Sequence, residues 1–243
     1  MTTLLYHSKS VGYVCKRIAN KSNNNIQAIC DRDLELLDSR LIPVISGRVI
    51  HWDSRIHILA DEVINNYQQV KLSRNKKESR KALGDLTLNT WYRLEDIKYP
   101  CVIRPGRHHG GMLFFVCNTT REALVAIGHC RNWYASTLIQ KTKEYRVFVF
   151  NGKVIKVTRR YAPEDGGIAW NPSLGGSITR VLKESWPSEV INIAIKAGEV
   201  LQLGWYAADV AVDTNRPYVL ECNTAPGIHR EKTMIEFAEI FSA

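Results

Sequence analysis

Three side chains in the last third of the sequence have the types and spacing for hard-cation chemistry. Residues 205–212, a DTNRP turn and residues 218–223 read as a β-hairpin. On its second strand Glu221 and Asn223 lie two apart and so project from one face. A turn centred on Asn215 sets Asp209 opposite Glu221, and a register two residues longer sets it opposite Asn223. In either register two carboxylates and an amide oxygen converge, a donor set that suits Mg²⁺ or Mn²⁺ rather than zinc. Tyr218, Leu220 and Cys222 are expected on the other, core-facing side.

The elements that would carry such a site follow from the pattern upstream. EYRVFVF and KVIKV flank Asn151-Gly152, the dipeptide of a two-residue hairpin turn. Strict alternation from that turn pairs Phe150 with Lys153, Arg146 with Val157 and Glu144 with Arg159, leaving Glu144 and Arg146 on one face. Residues 101–104 and 112–117 read as strands around the glycine-rich tip PGRHHGG, whose backbone N–H groups are open to a ligand. TREALVAI at 120–127 reads as a capped helix. Ser188 opens another, with apolar residues at 190, 191, 193, 194, 197, 200 and 201 and Gly204 as its C-cap. The glycine- and proline-rich stretch 162–187 between them reads as loop.

Earlier in the chain, residues 41–45 and 48–50 read as strands separated by Ser46-Gly47. Apolar residues at 56, 59, 63, 64, 67 and 70 have the spacing of a core-facing helix. The run KLSRNKKESRKAL at 71–83, six bases and one acid, reads as a solvated helix face or loop, with anion contact as the alternative.

Composition limits the partners. The 243 residues are 45% apolar and 23% charged, a globular balance with length for a large core. Lysine and arginine exceed aspartate and glutamate by 33 to 24, and the net charge of +9 points to nucleic acid, an acidic membrane face or a phosphate-bearing small molecule. No apolar run has the length to span a bilayer, and MTTLLYHSKSV is not built like a secretion signal. Six cysteines without a CxxC pair read as reduced thiols of a cytoplasmic protein. There is no GxxxxGK[ST].

The string YVLECNTAPGI resembles the closing motif of the ATP-grasp superfamily, whose carboxylate–amine ligases end in E-x-N-t-x-P-G. WYAADVAVD resembles that family's Asp-bearing strand, TLIQKTKEYRVFVFNGKVIKV its hinge and following strands, and YPCVIRP with GRHHGG its phosphate-binding strand and flap. The resemblance runs from about residue 99 to the end, and VIHWDSR near residue 50 is similar to a VI-x-W-G-S segment in short, phage-type relatives.

That resemblance implies an α+β chain with the ATP-grasp fold, two α+β lobes gripping ATP, preceded by a short α/β domain. The implied divisions are 1–84, a small lobe 85–140 and a large lobe 141–243 with the metal site. Asp209, Glu221 and Asn223 would hold Mg²⁺ or Mn²⁺ at the nucleotide phosphates. Arg104 stands where the family usually has a lysine, and Gly110 and Gly111 lie in the flap. Gln140, Lys141, Lys143 and Glu144 fall at the hinge that reads adenine and ribose. Arg146, Arg159 and Arg160 would hold a substrate carboxylate or acyl phosphate, under a second lid containing Asn171, Gly175 and Gly176. Lys76 or Lys77 would add a phosphate contact. Ala207 departs from the D-alanine ligases, which have an arginine there.

The implied activity is ATP-dependent joining of a carboxylate, an amino acid or peptide, to an amine through an acyl phosphate, releasing ADP and phosphate. Two alternatives stand beside it. EYRVFVF, GGMLFFV and the basic run suit a nucleic-acid-binding module, against which Glu144, Asp209 and Glu221 put acids on the strands that would face the polymer. The other is a relative that only phosphorylates its substrate or is inactive.

Overall fold

The computed structural model describes every residue except 36–41, 109–112, 215 and 229, and the side chains of Ser10 and Glu35 are also outside the description. The expected flap glycines Gly110 and Gly111, and the turn centre Asn215, therefore lie outside the described residues. The chain divides into two compact units, one of Met1–Lys71, Gln202–Tyr206 and Thr224–Ala243, the other of Leu72–Leu201 and Ala207–Asn223.

The first unit is built on β1 (Thr2–Tyr6), α1 (Lys9–Ala19), β2 (Ile26–Cys30), α2 (Asp31–Glu35), β3 (Val44–Trp52) and β4 (Leu59–Ile64), with strand order β2-β1-β3-β4. All three pairings are parallel. β1 is therefore interior, and its TTLLY is buried throughout. Ser8 caps α1 by accepting from the Val11 N–H.

Two expectations change here. Residues 44–52 form one strand rather than two, because Gly47 at φ +87° absorbs an irregularity in the pairing with β4 without ending the ladder. The helix expected over 56–70 is instead β4, a turn and the start of α3 (Tyr67–Arg74). Asn65 at φ +60° breaks the chain, and Asn66 Oδ1 accepts from the Gln68 and Gln69 N–H groups, starting the helix there.

The second unit holds α4 (Lys76–Leu83), β5 (Thr90–Trp91), β6 (Cys101–Arg104), β7 (Phe115–Cys117), α5 (Thr120–Gly128) and β8 (Tyr134–Thr137). It continues with β9 (Lys143–Phe150), β10 (Lys153–Tyr161), β11 (Ser177–Arg180), α6 (Ser188–Leu201), β12 (Trp205–Val212), of which Ala207 onward belongs to this unit, and β13 (Pro217–Asn223). The chain closes on α7 (Glu231–Ser242), in the first unit, where Trp52, Trp205, Phe237 and Phe241 form an aromatic core. The second unit has a four-stranded sheet of order β5-β8-β6-β7 and a five-stranded sheet of order β11-β10-β9-β12-β13.

The hairpins at 101–117 and 143–161 form as expected, but a bulge corrects the second register. Lys153 pairs with Phe150, the ladder then shifts between Val154 and Lys156, and beyond it Arg146 faces Thr158 and Glu144 faces Arg160. One extra residue reverses the parity of everything after it. β11 lies inside the stretch expected to be loop, paired with β10 through Arg160 and Ile178. At the end of α6 it is Gln202, at φ +54°, and not Gly204 that takes the left-handed position.

Candidate functional site

β12 and β13 pair so that Asp209 faces Glu221 and Ala207 faces Asn223, the first of the two expected registers. A second bulge follows, with Val210 opposite Val219. Its effect corrects the expected core face: Cys222 is buried, and the residue buried with it is Val219, not Tyr218 or Leu220. Burial pushes the Cys222 thiol up to about 12, so it stays protonated near neutral pH.

The shifted parity of β10 brings Arg160 onto the face of Glu144, Arg146 and Asp209. Arg146 donates from Nε to Asp209 Oδ1 at 2.6 Å and from Nη2 to Oδ2 at 2.8 Å, a bidentate fork. Arg160 donates from Nη2 to Asp209 Oδ2 at 2.9 Å and from Nη1 to Glu144 Oε1 at 2.5 Å. Lys141 also donates to Glu144. Burial disfavours the Arg160 cation, but Asp209 and Glu144 outweigh it and hold its pKa above the ordinary value. Burial lowers the pKa of Lys141, against the pull of Glu144, and its ammonium lies 4.5 Å from the Trp170 ring centroid.

Arg159 is not brought to this cluster. It pairs with Tyr145 on the opposite face, with its guanidinium over the Tyr161 ring at 4.8 Å. Gln140 and Lys143 are exposed. Glu144 is buried and committed to two cations. Asn171 accepts at its carbonyl from the Gly176 N–H at 3.1 Å, closing a turn in which Gly175 has φ +87°.

The basic run supplies a side chain that reading it as a solvated face missed. Asn75 accepts from the Glu78 N–H and starts α4, which turns Lys76, Ser79, Arg80 and Leu83 inward. Lys76 Nζ lies 3.4 Å from Glu221 Oε2 and donates to Asn223 Oδ1 at 3.2 Å. Asn223 Nδ2 donates to Glu221 Oε1 at 2.6 Å. Burial alone would raise the Glu221 carboxyl, yet Lys76, His108 and Asn223 together hold it well below the usual carboxylate range. Arg80 donates to Thr87 Oγ1 and to the Leu220 carbonyl. The asparagine cap followed by Lys76 and Arg80, four apart, was the available signal for a one-sided buried face.

Arg104, at the end of β6, has a buried Nε without a hydrogen-bond partner, and no salt bridge from it is seen among the described residues. Burial lowers its pKa, while Tyr134 and Glu221 oppose that. His108 Nε2 and Tyr134 Oη are 3.1 Å apart. Burial and then Arg104 bring His108 down to about 3, so its imidazole is neutral near pH 7.

These groups fit two kinds of guest. The half-buried Arg104, its Nε enclosed and without a hydrogen-bond partner, fits an anion such as phosphate, as do the cations of Lys76 and Arg80. The all-oxygen set Asp209, Glu221 and Asn223 fits a hard divalent cation in donor chemistry. Here both Asp209 oxygens are held by guanidinium groups, and Glu221 and Asn223 are bridged by Lys76. Among the described residues no group of three His, Cys, Asp or Glu has metal-site geometry, the third donor here being an amide.

Set against known folds and families, the chain is an ATP-grasp protein. The D-alanine–D-alanine ligase of Bacillus anthracis superposes on 99% of this chain and 96% of its own, with a TM-score of 0.67 and 12% identity. Residues 51–240 match the RimK-like ATP-grasp domain, and the chain belongs to that family. Two relatives called probable alpha-L-glutamate ligase are similar to it. That of Xylella fastidiosa (strain M12) is 29% identical over 52% of this chain and 42% of its own length. That of Vibrio vulnificus (strain YJ016) is 26% identical over 77% of this chain and 69% of its own length. No described helix is long and apolar enough to cross a membrane.

Proposed function

We propose that this chain is an ATP-dependent carboxylate–amine ligase that activates its acid as an acyl phosphate and releases ADP and phosphate. The observation that carries the reading is the shared face of Asp209, Glu221, Asn223, Arg146 and Arg160, with Lys76 bound to the far end of it. The glutamate ligase names of its relatives favour an amino acid as one substrate. Residues 85–140 and 141–243 supply the two lobes in this reading, after the segment 1–84, with Gln202–Tyr206 and Thr224–Ala243 belonging to the compact unit that residues 1–71 form.

The nucleotide phosphates are received by Arg104 and Lys76, and the neutral His108 offers a hydrogen bond without adding charge. Gln140, Lys141 and Lys143 line the hinge strand, where Lys141 is already ordered by Glu144 and Trp170. Arg146 and Arg160 carry positive charge to the place where an acid and a phosphate oxygen must approach each other, which offsets their repulsion. Asp209, Glu221 and Asn223 would hold a divalent cation such as Mg²⁺, which would supply further charge neutralisation for phosphoryl transfer. In its absence Asp209 is held by Arg146 and Arg160, and Lys76 lies against Glu221 and Asn223, the same side chains that would hold the ion. The acid's oxygen attacks the γ-phosphorus and ADP departs; the amine then attacks the acyl carbon, expelling phosphate and leaving an amide. The loop of Asn171, Gly175 and Gly176, closed on itself by the Gly176 N–H to Asn171 carbonyl hydrogen bond, is the lid that excludes water from that intermediate in this reading.

Glu221→Gln tests the assignment. Its shape is retained and Asn223 still has an oxygen partner, so the fold is expected to persist while ADP release falls at least about 10²-fold, the scale of one lost preorganised electrostatic group. Full turnover by this variant overturns the metal-site reading.

A further inference from the structure

The first unit carries a polar cluster that none of this chemistry uses. In strand order β2-β1-β3-β4, β1 runs through α1 to β2 on one side, while β3 lies on its other side. The direction of winding reverses between β1 and β3, and in open parallel sheets the crevice beyond the carboxyl ends of such strands is where ligands bind. His7 follows β1, Asp31 follows β2, and His51, Ser54 and Arg55 stand at or just past the end of β3.

Asp31 is fully buried at 0% exposure. Its Oδ1 lies 2.9 Å from His7 Nδ1, and its Oδ2 accepts from the Arg55 backbone N–H at 2.7 Å. Among the described residues the ionisable groups that interact with it are His7 and His51, and an imidazole is charged only when protonated. His51 is 1% exposed and Ser54 0%, and both ring nitrogens of the one and the hydroxyl of the other have no hydrogen-bond partner. A buried carboxylate without a permanent countercharge and three unmade hydrogen bonds each carry a desolvation cost, and they lie together. An organic cation complements such a cluster in charge and in hydrogen-bond donors.

We propose that the carboxyl edge of this parallel sheet binds the ammonium group of a small amine-bearing ligand, through Asp31, His51 and Ser54. A primary ammonium has three N–H donors and one positive charge. Asp31 has an uncommitted lone pair on each oxygen, the neutral imidazole of His51 one acceptor nitrogen, and Ser54 an acceptor oxygen. These give four acceptors, enough for the ammonium's three donors, and Asp31 matches its charge in sign. A carboxylate ligand would instead meet Asp31 with like charge. That the ligand is the ligase's amino-acid or amine substrate rests on the function proposed above, whereas the binding itself does not.

The test titrates the full chain with glycinamide, an ammonium without a carboxylate, and with acetate, following the imidazole ¹⁵N resonances of His51. Glycinamide is expected to shift them saturably and acetate to leave them unmoved. Ser54→Ala and His51→Gln are each expected to weaken glycinamide about tenfold, equivalent to ~1.4 kcal/mol, and Asp31→Asn to abolish binding. Should Asp31→Asn fail to fold, the other two variants decide. Equal response to acetate, undiminished affinity in both variants, or no response to either probe (water alone fills the cluster) overturns the proposal. Glycinamide binding without any amine-dependent ADP release would overturn the ligase reading and leave this site. Amine-dependent ADP release without glycinamide binding would do the reverse.

Discussion

Replacing Arg160 by methionine removes a side chain that joins Glu144 to Asp209. Arg160, Glu144 and Asp209 are 4%, 2% and 4% exposed, so solvent cannot substitute for the lost N–H groups. Breaking a buried ion pair from one side costs about 3–5 kcal/mol, because the abandoned charge stays buried. Here Glu144 keeps Lys141 and Asp209 keeps the fork of Arg146, which sets the expectation near the lower end, about 3 kcal/mol. For a chain of this size that is a fall in midpoint of about 6–12 °C. Arg159→Met is the matched control. Its partner is the Tyr161 ring, a contact worth about 0.5–1 kcal/mol, or roughly 1–4 °C. Urea and thermal unfolding followed by circular dichroism would compare the two. Equal losses, or a larger loss for Arg159→Met, would refute the bulge-shifted register, since strict alternation from Asn151-Gly152 gives that ranking.

Three other outcomes follow from the same geometry. Lys76→Met is expected to weaken binding of a non-hydrolysable ATP analogue about tenfold, ~1.4 kcal/mol, by calorimetry; unchanged affinity would remove Lys76 from the phosphate site. His51 is brought from 6.5 to about 4 by burial and by His57, against the pull of Asp31. On acidification the unfolded chain takes up this proton first. Its contribution is therefore present above about pH 6.5 and lost as pH falls towards 4, amounting to about 3 kcal/mol. His51→Gln is expected to flatten that limb of a stability–pH curve, and an unaltered limb would exclude His51 as its source. Glu221→Gln, as argued above, should retain the fold and lose ADP release.

Side-chain parity explains what could be read before any coordinates. Period two around Asn151-Gly152, and the spacing of Asp209, Glu221 and Asn223, located two hairpins and the acidic face, because a tight turn fixes register locally. The bulges at Ile155 and Leu220 were silent: both are ordinary apolar strand residues, and an inserted residue leaves composition untouched while exchanging Arg159 for Arg160 and Leu220 for Val219. Residues 56–70 misled for a related reason, since apolar positions three and four apart arise equally when a strand, a turn at Asn65 and a helix start follow one another. The run at 71–83 left Lys76 and Lys77 as alternatives because charge count carries no direction; the Asn75 cap fixes which lysine turns inward.

The central claim is tested most directly by incubating the protein with ATP, Mg²⁺ and pairs of amino acids or short peptides, and measuring ADP, phosphate and new amide together. The account predicts that some pair yields the three in equal amounts, that omission of the amine suppresses the amide, and that Glu221→Gln yields none. Binding of single-stranded nucleic acid that weakens with salt, in a protein with no affinity for ATP, would contradict it.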